Sequence, residues 1–145
     1  MTKKIMNEKY KILAKFIKDI SIETPDLETY IFVKDYISKY NLNIDITSIP
    51  LKDRVIEINT KLTLSDQSKN TKKSYFEIIY ASVIRVDESL KDKKEIEKIV
   101  LCDVQNKIYP ELEKIFLKLI LDSGYPEAKP NKKVDFNELY KNRNS

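Results

Sequence analysis

The predicted order of elements, four strands followed by helices, is typical of an α+β fold with helices on one face of an antiparallel sheet. The clearest strand covers residues 74–86, SYFEIIYASVIRV, because this run is rich in β-branched and aromatic residues and contains no Gly or Pro. Both of its faces are substantially apolar, whereas a single antiparallel sheet usually leaves one face in water. We therefore expect the second face to be covered by more of this chain, by another copy of it, or by a partner.

Alternating apolar and polar residues predict the other three strands. The first spans about residues 10–23, with a break at Lys18, and the second and third span about 41–49 and 56–64. A polar turn at residues 65–72 leads into the long strand. In the first strand the alternation looks unbroken before Lys18, so one face is expected to carry Tyr10, Ile12, Ala14 and Phe16.

Residues 26–40, DLETYIFVKDYISKY, admit two interpretations. Their apolar positions approximate a helical stripe that Asp26 could cap, which favours an amphipathic helix packed on the sheet. The alternative is an aromatic-rich crossover segment that borders a groove. The stripe consists of Leu27, Tyr30, Ile31, Tyr36, Ile37 and Tyr40.

The C-terminal part of the chain is predicted to be helical. A first helix covers about residues 89–106, and Pro110 is expected to interrupt the helical region after it. A second apolar stripe at helical spacing runs from Glu111 to Gly124. Asp135 is a candidate cap for a short last helix. That helix has Phe136, Leu139 and Tyr140 on one face.

Composition excludes several classes of function. The chain has 145 residues, which fits one domain over residues 1–145, with residues 1–9 expected to be disordered. No run is long enough to insert in a membrane and no signal core follows the basic N-terminus, so we expect a cytoplasmic protein. Histidine is absent and Cys102 is the one cysteine, which rules out histidine catalysis, His/Cys zinc sites and an internal disulfide.

We expect no enzyme activity, no cofactor and no metal. The single glycine excludes phosphate-binding and dinucleotide-binding loops. The net charge of +4 is mild and spread along the chain, which favours a solvated surface over a nucleic-acid stripe. A basic nucleic-acid-binding module remains the alternative, because the pI is near 8.9 and nine tyrosines could stack on bases. Cys102 is expected to be a small buried apolar residue.

Several short motifs, taken in order, resemble the SecB family of protein-export chaperones. They are KDISIETP at 18–25, FVKDY at 32–36, LNID at 42–45, GYP at 124–126 and VDFNELY at 134–140. The resemblance covers about residues 10–142. It implies a four-stranded antiparallel sheet with a long crossover after the first strand, and helices packed on one face.

The resemblance also implies a function. SecB chaperones are holdases that assemble as tetramers, each a dimer of dimers, bind unfolded preproteins in hydrophobic grooves and deliver them to SecA. They use no cofactor and no catalysis. A SecB-like chaperone dedicated to another client, such as an antitoxin, is a second possibility.

Site residues follow from the same resemblance. The client-peptide groove is expected to be lined by Phe32, Tyr36, Phe136, Leu139 and Tyr140, although the residues alone favour a core that joins the crossover to the last helix. The SecA-binding surface is expected to contain Asp19, Glu23, Tyr75 and Glu77, for which ordinary solvated charge is the alternative. The oligomer interface is expected to involve Phe76, Ile78, Tyr80, Ile115, Phe116 and Leu119, which could instead lie under the protomer's own helices.

Overall fold

One antiparallel sheet of four strands organises the computed structural model, which describes residues 8–128 and 134–143. The spatial order is β1-β4-β3-β2, so the first two strands of the chain lie at opposite edges. This architecture confirms the predicted fold class. The strands are β1 (Tyr10–Glu23), β2 (Asn41–Pro50), β3 (Val55–Ser65) and β4 (Tyr75–Val86).

The segment between the two edge strands is both helical and a crossover. Residues Leu27–Tyr36 form α1, and a short 3₁₀ turn (Ile37–Lys39) follows before β2. Asp26 caps α1 as predicted, because its carboxylate accepts a hydrogen bond from the Thr29 backbone N–H at 2.8 Å. That hydrogen bond lowers the pKa of Asp26. Residues 26–40 thus contain a helix and also connect the two edge strands, so both interpretations apply in part.

The first strand contains two bulges. Its pairing with β4 shifts between Ile12 and Ala14 and again between Ile17 and Asp19. The second shift agrees with the predicted break at Lys18, but the first was not predicted. The expectation that Tyr10, Ile12, Ala14 and Phe16 share one face is therefore wrong, because the extra residue at the first bulge turns Ala14 and Phe16 to the opposite face.

A hydrophobic core fills the space between one sheet face and the helices. Every second residue of β3 and β4 points into it, as the pleat requires. From the helices, α3 (Val104–Asp122) contributes seven buried residues, and Val33 of α1 is fully buried. Fully buried core residues include Ile58, Leu62, Phe76, Ile78, Ile84, Leu112, Phe116 and Ile120.

The helical layer differs from the prediction at Pro110. Helix α2 (Lys93–Lys98) runs through a π turn (Ile99–Asp103) directly into α3, and α3 continues through Pro110 to Asp122. Pro110 removes the backbone hydrogen bond to the Asn106 carbonyl. Both residues are exposed, so water can satisfy that carbonyl, and the buried stripe of α3 keeps the helix intact. The departure from α-helical geometry occurs instead at the π turn.

The end of α3 and the start of the last helix agree with the prediction. Gly124 adopts φ 107° just after α3, a conformation that favours glycine. The Asp135 carboxylate accepts hydrogen bonds from the Asn137 and Glu138 backbone N–H groups at 3.0 and 3.2 Å, so it caps α4 (Phe136–Arg143). None of the described helices is long and apolar enough to cross a membrane.

Two contacts hold the ends of β3 and β4 in place. The Arg54 guanidinium donates hydrogen bonds to the carbonyls of Val86, Asp87 and Leu90, at 3.2 and 2.9 Å for the first two. The Asp87 N–H donates to the Lys9 carbonyl at 2.8 Å, so Lys9 is paired although residues 1–9 were expected to be disordered. Residues 1–7, which were also expected to be disordered, lie outside the described residues. The single domain over residues 1–145 stays a prediction.

Candidate functional site

A pocket of about 450 Å³ lies against α1. Helical spacing brings its α1 residues to one side, because positions three and four apart share a face. The rings of Phe32 and Tyr36 stack with centroids 5.4 Å apart and an interplanar angle of 23°, and Ile31 is 52% exposed beside them. The pocket is lined by Glu28, Ile31, Phe32, Asp35, Tyr36 and Lys72. The structure thus places two of the predicted groove residues together in a partly apolar concavity.

Charges surround the apolar part of this pocket. Lys72 Nζ lies 3.3 Å from Glu28 Oε2, and Lys39 Nζ lies 5.6 Å from the centroid of the Tyr36 ring. Both groups of the ion pair are well exposed, so it contributes little stability. Glu28, Ile31, Asp35 and Lys72 were not predicted as site residues. Positions 28, 31, 32, 35 and 36 are three or four residues apart and share one face of a helix. A helical assignment of α1 would therefore have indicated Glu28, Ile31 and Asp35.

The opposite side of α1 is anchored in the core. Thr29, Val33 and Ile37 are buried, and the Tyr30 hydroxyl donates a 2.6 Å hydrogen bond to the Gly124 carbonyl. The Tyr30 ring also packs on Tyr125, with centroids 5.2 Å apart. These contacts fix the orientation of the pocket residues relative to the end of α3.

Tyr125 contacts residues from several elements, and these contacts were not predicted from the sequence. Its hydroxyl lies 2.6 Å from the hydroxyls of both Thr24 and Ser74, and its ring packs edge-on against Phe76 at 5.2 Å. It therefore ties the exit of β1 and the entry of β4 to the end of α3. The GYP motif marked this position in sequence, but nothing in the motif indicated these partners.

The other three predicted groove residues lie on α4, which packs near the start of α3. The Phe136 side chain is 3% exposed and packs edge-on against Tyr109, with ring centroids 5.1 Å apart. The Tyr140 hydroxyl donates to the Lys94 carbonyl at 3.4 Å, whereas Leu139 is 49% exposed. Tyr109 lies in the first turns of α3 and Gly124 lies beyond its end, about 22 Å along the helix at 1.5 Å per residue. The structure therefore places the two halves of the predicted groove at opposite ends of α3.

The four predicted acidic-surface residues do lie together. Glu23 pairs with Tyr75 and Ser21 pairs with Glu77 across β1 and β4, and Asp19 follows opposite Ile79. Paired residues of neighbouring antiparallel strands share a face. All four therefore lie on the open face, defined as the sheet face opposite the helices.

The negative charges of this surface act together on Tyr75. Its hydroxyl donates a hydrogen bond to the Glu77 carboxylate, which raises the pKa of Tyr75 to about 12. Burial and the negative charges of Glu77, Glu23 and Asp19 add to this increase. Tyr75 is 40% exposed, so the cluster is accessible to a partner.

The predicted oligomer-interface residues divide into two groups. Phe76, Ile78, Tyr80 and Phe116 are at most 4% exposed and lie under the helices of the protomer itself, as the residue-based alternative proposed. Ile115 and Leu119 are half-buried on α3. Leu121, which was not predicted, is 49% exposed at the end of the same helix.

The described residues contain no group of three or more His, Cys, Asp or Glu side chains arranged to hold a metal ion. Cys102 is 1% exposed, as predicted. Burial is also the main reason that the pKa of its thiol is raised.

Comparisons with known proteins agree with one another. The family model described as "Preprotein translocase subunit SecB" matches residues 3–145. A protein-export protein SecB of Pelagibacter ubique is 62% identical over 138 residues, which cover 95% of this chain and 99% of that protein. The protein-export protein SecB of Rhodospirillum rubrum is 26% identical over 132 residues, covering 91% of this chain and 80% of the relative.

A solved structure supports the fold. A SecB-like chaperone of Mycobacterium tuberculosis, determined in complex with a peptide from an antitoxin, matches with a TM-score of 0.63. The aligned region covers 87% of this chain and 88% of that chain, at 11% sequence identity. At this identity the match is evidence for the architecture alone.

Proposed function

Because this chain belongs to the SecB family of protein-export chaperones, we propose that it is a holdase that binds unfolded preproteins and delivers them to SecA. The observation that carries the proposal is the pocket on α1. Stacked, half-buried rings and an exposed isoleucine offer contact area to any apolar side chain, which suits a binder of many sequences. We further propose a cytoplasmic location and a role that involves no catalysis and no cofactor.

Client segments are proposed to contact both ends of α3. Phe32 and Tyr36 supply the α1 end, and Phe136, Leu139 and Tyr140 belong to the α4 end. Each contact is weak, so holding depends on several sites that act on one long chain. This requirement supports a homotetramer built as a dimer of dimers, because one assembly then presents several copies of each site.

Exposed apolar side chains support assembly of several copies. Ile115, Leu119 and Leu121 leave part of their surface uncovered on α3, and four apolar residues of β1 are 40–46% exposed. Those residues are Leu13, Phe16, Ile17 and Ile20. We propose that copies meet through such surfaces, while Phe76, Ile78, Tyr80 and Phe116 support them from within the core.

The SecA interaction is proposed to use the acidic cluster on the open face. Asp19, Glu23 and Glu77 surround Tyr75, a combination suited to a lysine-rich segment that carries an apolar side chain. Reversing the three acids to lysine should weaken binding to SecA and flatten its salt dependence. Client binding should not change, because the α1 pocket lies in the helical layer on the other side of the sheet.

More than half of the nine tyrosines give no support to the alternative of a nucleic-acid-binding module. Five of them are engaged within the protein: Tyr30, Tyr40, Tyr80, Tyr109 and Tyr125 are buried or stacked on other rings. They are therefore not available to stack on bases. A dedicated client such as an antitoxin remains a variant of the holdase proposal.

The deciding experiment is a holdase assay with a reduced, slowly folding precursor, with the mass of the complex measured alongside. We expect the protein to delay folding at stoichiometric concentration and to elute with the precursor. Phe32→Ala should shorten the delay. Leu27→Ala is the matched control, because Leu27 lies on the same helix, is 72% exposed and does not line the pocket. An unchanged folding rate together with no complex would overturn the holdase proposal.

A further inference from the structure

Helix α4 buries few of its residues. Of residues 136–142, only Phe136 is buried, whereas α3 buries seven residues. An isolated helix of eight residues is not stable in water, so α4 depends on its docking contacts for its structure. An element with so little buried surface belongs to the part of a protein that opens most easily.

The buried residue of α4 docks through its aromatic ring, and the Tyr140 hydroxyl adds a hydrogen bond to the Lys94 carbonyl at 3.4 Å. Phe136 packs on Tyr109 at 5.1 Å, and the Asn137 side-chain oxygen accepts a hydrogen bond from the Cys102 thiol. Cys102 belongs to the π turn, against which α4 packs. Such turns occur often at functional sites because they displace the helix surface locally.

The segment that carries this ring combines apolar residues with polar and charged ones. In VDFNELY a single phenylalanine is flanked by polar and charged residues, and Leu139 and Tyr140 follow it. The protein therefore already holds, on Tyr109 and the π turn, one aromatic side chain from a short segment that is not stable alone.

We propose that the surface formed by Tyr109 and the π turn is a binding site for an aromatic side chain of an unfolded segment, and that Phe136 occupies it as an internal competitor. This inference rests on the proposed holdase function and gives Phe136 a more specific part in it. Phe136 fills the site while α4 is docked, rather than lining it. A client gains this site when α4 leaves, so the apparent association constant equals the intrinsic one multiplied by the fraction of molecules in which the site is free.

The test uses the full-length chain and a labelled, unstructured peptide with one phenylalanine among serines and lysines. A second peptide with alanine in place of that phenylalanine is the matched probe. Phe136→Ala should tighten binding of the phenylalanine peptide, by about tenfold if the site is free in about one molecule in ten. Binding of the alanine peptide should not change. Leu27→Ala should leave both affinities unchanged, because Leu27 is 72% exposed on α1, does not line the pocket and is outside the ring contact.

A reversible lock tests the same idea without removing the ring. Cys102 is the one cysteine and contacts Asn137, so Asn137→Cys can form one intrachain disulfide that holds α4 in place. The oxidised form, verified by intact mass, should bind the phenylalanine peptide more weakly than the reduced form of the same variant.

The outcomes separate this inference from the holdase proposal. Equal affinities of the oxidised and reduced forms, or weaker binding by a folded Phe136→Ala, would show that Phe136 is not a competitor and would overturn the inference alone. Binding of the peptide by no form of the protein, together with no effect on precursor folding, would overturn the holdase proposal and this inference with it.

Discussion

Tyr36 and Tyr40 lie four residues apart, at the end of α1 and just before β2, and truncation should affect client binding at the first and mainly stability at the second. Tyr36 is half-buried at the pocket and stacks on Phe32, a contact of the kind that contributes about 0.5–1.5 kcal/mol. We expect Tyr36→Ala to lower the free energy of unfolding by about 1 kcal/mol for this reason. Client affinity should fall by roughly 1–2 kcal/mol, the loss typical of an aromatic contact in a binding site.

Tyr40 supplies the matched control because its environment is core. It is 7% exposed, packs edge-on against Phe76 at 6.1 Å, and its hydroxyl accepts a hydrogen bond from the Ser74 N–H at 3.2 Å. Truncation of a buried aromatic residue costs about 3–5 kcal/mol, so Tyr40→Ala should reduce stability several times more than Tyr36→Ala. The folded fraction should bind clients with unchanged affinity.

Two measurements decide the question: urea denaturation for stability, and titration of a labelled client peptide for affinity. Tyr140→Ala, assayed in the same way, extends the comparison to α4. If Tyr36→Ala loses as much stability as Tyr40→Ala while client affinity stays at the wild-type value, the pocket on α1 is part of the core and the proposed binding site is wrong.

Three further predictions concern the open face, the end of β4 and assembly. Glu77→Gln should lower the pKa of Tyr75 from about 12 toward 10, as followed by NMR of ring-labelled tyrosine. In the wild type the contact stabilises the fold below pH 10, and this stabilisation is lost as the pH rises through about 12. An unchanged pKa of Tyr75 in the variant would contradict the proposed contact. Arg54→Ala removes three hydrogen bonds from a guanidinium to backbone carbonyls and should cost about 2 kcal/mol in urea denaturation, a loss that Arg54→Lys should not recover in full. Leu119→Asp should reduce the mass seen by light scattering at micromolar concentration without changing the far-ultraviolet circular dichroism; a monomeric wild type would exclude the tetramer.

The strands were predictable from sequence because their apolar residues recur with a period of two, and in β3 and β4 that period matches one buried face. The limits of that signal appear in β1. A bulge at Leu13 changes which face a residue occupies, but the alternation of Tyr10, Ile12, Ala14 and Phe16 looks the same with or without it. Pairing partners on β4 decide the register, and those are distant in sequence.

The helices show a similar limit. Proline disfavours a helix interior, so Pro110 indicated a break, but local preference was outweighed by a stripe of buried residues on both sides of it. The acidic cluster followed from resemblance and was brought together by the pairing of β1 with β4. The two halves of the predicted groove could not be placed relative to each other from sequence, because their separation depends on where α1 and α4 dock along α3.

The strand order β1-β4-β3-β2 has a consequence for how the chain acquires its structure. Strands β2, β3 and β4 are joined by short turns and form a local meander, whereas β1 can pair only after residues 75–86 are available. Closing so long a loop is slow compared with forming the meander. During synthesis β1 leaves the ribosome first and is paired last, so Phe16, Ile17 and Ile20 stay without a strand partner while more than fifty further residues are made. We therefore expect this chaperone, early in its own synthesis, to expose the kind of apolar segment that it is proposed to bind.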